Sequence, residues 1–219
     1  MSTPDLQKIE PRFERRKEAR PGEILDAALD LFVERGYAAT RLDDVARRAG
    51  VSKGTVYLYF DSKEDLFKAV IRSGMVRAIE EAERIVDEYE GSSADLLRAL
   101  VTGWWESIGS TRHSGIPKLM ISEAQNFPEL ARFYYAEVIQ RGSGLFGRAV
   151  ERGIRRGEFR PVDVDYTVRA LVSPLIFRSI VQHSFLPCAG PEDFDVPAYF
   201  AHTLDLLLDG LRAGDPARR

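Results

Sequence analysis

Apolar residues recur at three- and four-residue spacing along nearly the whole chain, and no stretch alternates as a half-buried strand would. Ile24, Leu25, Ala28, Leu31 and Phe32 predict a first helix that opens near Pro21 and stops at Gly36. Leu42, Val45, Ala46 and Ala49 predict a second, short helix, with Thr40 as its cap and Asp43 and Asp44 in its first turn. Gly50 ends it, Val51 turns inward, and Ser52 caps a third helix from Lys53 to Phe60. A helix, a glycine turn and a helix that opens on polar donors make a helix-turn-helix, whose second helix enters the DNA major groove.

The pattern continues as helix. Ser62-Lys63-Glu64-Asp65 has capping-box spacing and starts a stripe from Leu66 and Phe67 to about Tyr89. At about 1.5 Å per residue that helix spans roughly 40 Å, long enough to join the head to a second domain. Gly91-Ser92-Ser93 breaks the pattern, and a helix from Ala94 to about Ile108 follows. Residues 109–115 read as a polar loop, and Pro117 as the start of the next helix. Pro128 opens a long helix to about Arg152, weakened by Gly142, Gly144 and Gly147. Two further helices, about 163–184 and 197–211, close the chain. The fold expected is all-α, with about nine helices. It divides into an arm at 1–19, a three-helix DNA-binding domain at 20–66 and a helical ligand-binding and dimerisation domain at 67–219.

The residues of the first sixty positions are specific enough to suggest a family. Ile24 to Ala28, Leu31-Phe32, Gly36-Tyr37, Ala39-Thr40, Leu42 to Ala46, Ala49 to Tyr57, Phe60 and Lys63 to Leu66 resemble the DNA-binding head of the TetR family of bacterial transcriptional repressors. The likeness runs over about residues 20–68 almost without a gap. Tyr59 departs from it, since relatives often carry His there, and this bears on base preference. Lys118 to Ala124, Phe127 to Ala131 and Tyr134-Tyr135 resemble a ligand-binding domain found in part of that family. The resemblance implies a dimer built by the last two long helices, a palindromic operator in double-stranded DNA and a small-molecule effector bound among the C-terminal helices.

Charge supports the division. The chain carries a net −3, yet residues 1–60 carry a net +1 and Arg12 to Arg20 holds five basic side chains. A basic arm ahead of a groove-reading helix is where phosphate contacts are wanted. Candidate DNA contacts are Thr40, Arg41, Ser52, Lys53, Gly54, Thr55, Tyr57, Leu58, Tyr59 and Lys63, with Arg15, Arg16 and Lys17 from the arm. Thr55 suits a base edge or a thymine methyl; Lys63 at a helix start suits a phosphate. Trp104, Trp105, Met120, Phe133, Tyr134, Phe146, Phe177 and His183 are candidates to line an apolar effector cavity.

Other chemistry finds no support. His113, His183, His202 and the lone Cys188 are scattered, so no metal ligand set forms. No glycine-rich phosphate loop is present, and Ser143 between two glycines is not in a nucleophile elbow. The expectation is a cofactor-free regulator, not an enzyme. No run reaches the roughly 18 apolar residues of a membrane span, and one cysteine forms no internal disulfide, which suggests a cytoplasmic protein. Two alternatives stay open: a helical ligand-binding protein without specific DNA binding, and an activator that binds DNA without an effector.

Overall fold

The computed structural model describes residues 20–190 and 194–212, and these form ten helices. No strand occurs among the described residues; a single antiparallel bridge pairs Phe159 with Arg212. The arm residues Arg15, Arg16 and Lys17 lie outside the described residues.

Helix α1, Arg20–Arg35, buries Ile24, Ala27, Ala28, Leu31 and Phe32. Gly36 ends it with φ +87°, a conformation that side chains with a Cβ rarely adopt. Helix α2, Leu42–Arg48, stops before Gly50, whose φ is +65°. Helix α3 is Lys53–Tyr59, capped by the Ser52 hydroxyl, which accepts from the Thr55 amide at 3.1 Å. Here one expectation is corrected. Thr40 does not cap α2: the capping position falls on Arg41, which makes no side-chain cap bond. Thr40 is turned inward and buried, and its hydroxyl lies 2.8 Å from the Gly36 carbonyl and 3.2 Å from that of Leu31. It donates to carbonyls at the end of α1 instead of capping the start of α2.

Helix α4 runs over residues 63–88, close to the length expected, and carries one widened turn at Arg72–Val76. Ser62 caps it through the Asp65 amide. Its first two turns bury Leu66, Phe67, Val70 and Ile71 under the head, each worth about 1.5–3 kcal/mol. The Phe67 ring meets Phe32 edge-on at 5.0 Å and Tyr37 at 5.2 Å.

Helix α5 covers 93–109 and also ends in a widened turn, Trp105–Gly109. The loop expected after it contains a tight turn, Arg112–Ser114. Helix α6, Gly115–Glu123, starts two residues ahead of Pro117. The missing amide of Pro117 loses no helical hydrogen bond there, because amides in a first turn have no helical acceptor. Helix α7 covers 128–155, opens on Pro128 and widens at Tyr135–Gln140. Helix α8 is Val164–Ser184, α9 the short Leu186–Ala189, and α10 Val196–Leu211.

Arginines on α7 hold the second half of α4. Arg141 pairs with Glu83 at 2.9 Å, Arg148 pairs with Asp87, and Arg152 donates to the carbonyls of Tyr89 and Gly91. The head is held separately, by α6 and the turn before it. Arg112 bridges Asp30 at 2.8 Å and Asp26 at 2.9 Å on α1. At the other end of α6, Glu123 accepts from the Ala38 amide at 3.2 Å, and just beyond it Phe127 packs edge-on against Tyr37 at 4.6 Å.

Candidate nucleic-acid interface and ligand cavity

Helix α3 has seven residues and buries one, Val56. With Phe60 and Val51 half-buried at its ends, it is fastened by one short apolar strip and presents the rest outward. Ser52, Lys53, Gly54, Tyr57, Leu58 and Tyr59 are exposed, and Leu58, at 77%, is the most exposed large apolar residue of the described chain. No acid lies on this helix, so nothing on it repels a phosphate. Lys53 is held by Asp43 at 2.9 Å, and that hydrogen-bonded partner raises its pKa above the ordinary value. The Thr55 hydroxyl lies 2.8 Å from that of Ser52. Arg41 is exposed at the start of α2.

Two candidate contacts sit differently. Thr40 is 1% exposed with its hydroxyl directed at carbonyls, so its side chain is not open to a phosphate. Lys63 donates to the carbonyls of Tyr37 at 2.8 Å and Ala38 at 3.2 Å, and its ammonium sits 4.4 Å from the centre of the Tyr37 ring. Burial lowers its pKa, with Glu123 acting the other way. Two of its three N–H groups are therefore spent inside the protein, and one remains.

Among α4 to α8 lies a cavity of about 380 Å³. Four of the eight candidates line it: Trp104, Met120, Tyr134 and Phe146. The other four do not. Trp105 packs against Phe200 at 5.7 Å and borders a shallow groove between α5 and α10. Phe133 turns to Lys68 and Arg72, with the Arg72 guanidinium 5.0 Å from its ring centre. Phe177 is 63% exposed. His183 meets the Ser114 hydroxyl at 2.8 Å. Helix geometry explains these corrections. Neighbouring residues point about 100° apart, and here Trp105 turns from Trp104 towards Phe200 while Phe133 turns from Tyr134 towards Arg72.

The wall that the candidates leave out is aliphatic. It includes Met75 and Ile79 of α4, Ile108 of α5, Val138 and Ile139 of α7, and Val172, Leu175 and Ile176 of α8. All three widened helical turns reach it, through Met75, Ile108 and Val138. Such turns insert one residue into a helix and often mark functional sites. The space itself is made by small residues: Ala124, Ala131 and Gly142 face it where larger side chains would fill it. Inward-facing alanine and glycine amid aromatic residues are the signal in the sequence that locates this cavity. It continues, past Tyr135, Ile139, Ser143, Val172 and Ile176, into an open groove between α7 and α8 that also holds Arg148, Glu151, Asp165 and Arg169.

Two half-buried imidazoles lie where the body meets the head. His113 packs against Gly74 in the widened turn of α4, leaving no room there for a Cβ. Burial lowers the pKa of His113, with Arg112 adding to the effect, and burial also lowers that of His183, helped by Lys118. Among the described residues no group of His, Cys, Asp and Glu is placed to hold a metal ion, and no helix is long and apolar enough to cross a membrane.

A helix-turn-helix head with an exposed, donor-bearing second helix, set on a helical body that encloses an apolar cavity, defines a ligand-responsive DNA-binding regulator. Comparison with known proteins gives the family. The model of bacterial regulatory proteins of the tetR family matches residues 24–70, and that of the tetracyclin repressor-like C-terminal domain matches residues 87–189. The HTH-type transcriptional repressor KstR2 of Rhodococcus jostii is 34% identical over 157 residues, 71% of this chain and 76% of its own. The fatty acid metabolism regulator protein of Bacillus subtilis is 28% identical, over 89% of this chain and 98% of its own. The crystal structure of FadR from Bacillus subtilis in complex with stearoyl-CoA shares the fold, with TM-score 0.67 at 21% identity over 87% of this chain and 99% of that one. The chain belongs to the TetR family. It is a DNA-binding transcriptional regulator and not an enzyme.

Proposed function

We propose that the protein is a homodimeric repressor that occupies a palindromic operator and releases it when an apolar effector fills the cavity. The observation that carries this reading is the double role of α6. Its residues Pro117, Met120, Ile121 and Ala124 line the cavity, while Glu123 and, just ahead of the helix, Arg112 hold the head. A ligand that prefers one position of α6 therefore prefers one position of the head. Only such a difference in affinity between two states can couple the sites.

On this reading the head ends within α4, near residue 66, and the remainder is the effector and dimer domain. Helix α3 reads the major groove through Lys53, Gly54, Thr55, Tyr57 and Leu58, with Tyr59, Ser52 and Arg41 at its margins. Lys53 exchanges Asp43 for DNA, the free N–H of Lys63 reaches a phosphate, and Arg15, Arg16 and Lys17 add backbone contacts. Two copies join through α8 and α10, where Tyr166, Phe177 and Leu206 stand exposed; apolar side chains of that size left in water favour a partner surface. The relatives' names agree in kind, one being a repressor and another a regulator solved with stearoyl-CoA. The site of action is the cytoplasm, with the operator.

Selection from a random duplex pool at near-physiological salt tests this. The expected product is a two-fold symmetric motif whose half-sites lie about one helical turn apart. Enrichment of no motif, or of a single half-site, overturns it.

A further inference from the structure

Tyr134 is 6% exposed, lines the cavity, and makes no hydrogen bond to any described residue. The ring is packed away, but its hydroxyl is not sealed in: it keeps accessible surface and is free to donate to what fills the cavity. The described wall carries no Lys, Arg, His, Asp or Glu. A carboxylate or ammonium placed there would lose its hydration with no counter-charge. Among the cavity's polar groups Tyr134 lies deep. Tyr135 and Ser143 also border the outer groove, whereas Tyr134 does not.

We propose that the part of the effector inside the cavity is a neutral hydrophobe carrying an oxygen acceptor, a ketone or ester-type carbonyl, that takes a hydrogen bond from the Tyr134 hydroxyl. Any charged part of the molecule stays beyond Tyr135 and Ile139, in the groove that holds Arg169. The inference rests on the reading of this cavity as the effector site and adds the chemistry of what it holds. Burial keeps the Tyr134 phenol well above its ordinary pKa, so it stays a donor at any pH the protein meets.

The test uses the full chain without DNA. Decan-2-one and decane each displace the fluorescent hydrophobe N-phenyl-1-naphthylamine, and both are measured on the native protein, on Tyr134→Phe and on Tyr135→Phe. Comparing variants for each probe cancels the intrinsic hydrophobicity of the two probes. Tyr134→Phe keeps the ring and its packing. The expected result is that it weakens decan-2-one about tenfold and does not weaken decane, while Tyr135→Phe, at the mouth, changes neither. Equal effects of Tyr134→Phe on both probes, no effect on the ketone, or displacement by neither probe overturns the proposal. A ketone held through Tyr134 that left an operator complex intact would instead overturn the effector reading, so the two failures are separable.

Discussion

Gly142→Leu separates the cost of the cavity from its use. Gly142 lies inside α7 and lines the cavity, and a Cβ there would meet only Ile79 Cδ1, at 4.0 Å. Its φ is not positive, so any residue can adopt its backbone. Replacing a glycine within a helix gains about 1 kcal/mol of propensity. The three further carbons of leucine enter apolar space, at about 0.8 kcal/mol each if fully buried. The variant is therefore more stable by about 1–3 kcal/mol, and each kcal/mol raises Tm by about 2–4 °C at this size. On the proposed reading the same carbons occupy the effector's volume. Circular dichroism melting, dye displacement by N-phenyl-1-naphthylamine and operator titration together read the outcome. The expected pattern is a Tm at least 2 °C higher, dye affinity lowered at least tenfold, and operator affinity unchanged. A lower Tm would refute the room argued for, and undiminished dye binding would refute the cavity as the ligand site.

Three further outcomes follow from the same geometry. Thr40→Val should cost about 1–2 kcal/mol in chemical denaturation, because it strips a buried hydroxyl from the end of α1, and should leave operator preference alone; weakened DNA binding at full stability would return Thr40 to the interface. Lys63→Met should lower stability by about 1 kcal/mol, a value reduced for partial exposure, and flatten the salt dependence of operator binding by at most about one unit; a flatter slope with no loss of stability would show that Lys63 serves DNA alone. His113 and His183 have folded pKa values below the ordinary histidine value, so folding favours their neutral forms. The stability they give is complete above about pH 6.5 and is lost as pH falls below it, by no more than about 1.4 kcal/mol per pH unit for each ring. Asp26 near His113 works against that loss, while Arg112 and Lys118 add to it. A melt series from pH 7.5 to 5.5 should show the decline, and His183→Gln should flatten it; an unchanged slope in that variant would exonerate His183.

Local rules made most of the fold legible. The apolar stripes, the serine caps at Ser52 and Ser62 and the positive-φ glycines at 36 and 50 are set within a few residues of sequence. Helix α3 was legible for the same reason. What escaped depends on rotation about a helix axis or on distant partners. Thr40 is one residue from the capping position and so points inward. Trp105 and Phe133 are one residue from true wall positions. The widened turns leave no periodic mark, and the arginines of α7 find their acids some sixty residues away. The cavity was half legible because aromatic residues announce a core, while the alanines and glycine that keep part of it open announce nothing alone.

The most direct test of the account is a titration of the selected operator with the full chain, with and without saturating decan-2-one. If the cavity governs the head, the ketone weakens operator binding by about five-fold or more, and bound operator weakens ketone binding by the same factor, as linkage requires. A ketone that fills the cavity and leaves operator affinity unchanged would contradict the account.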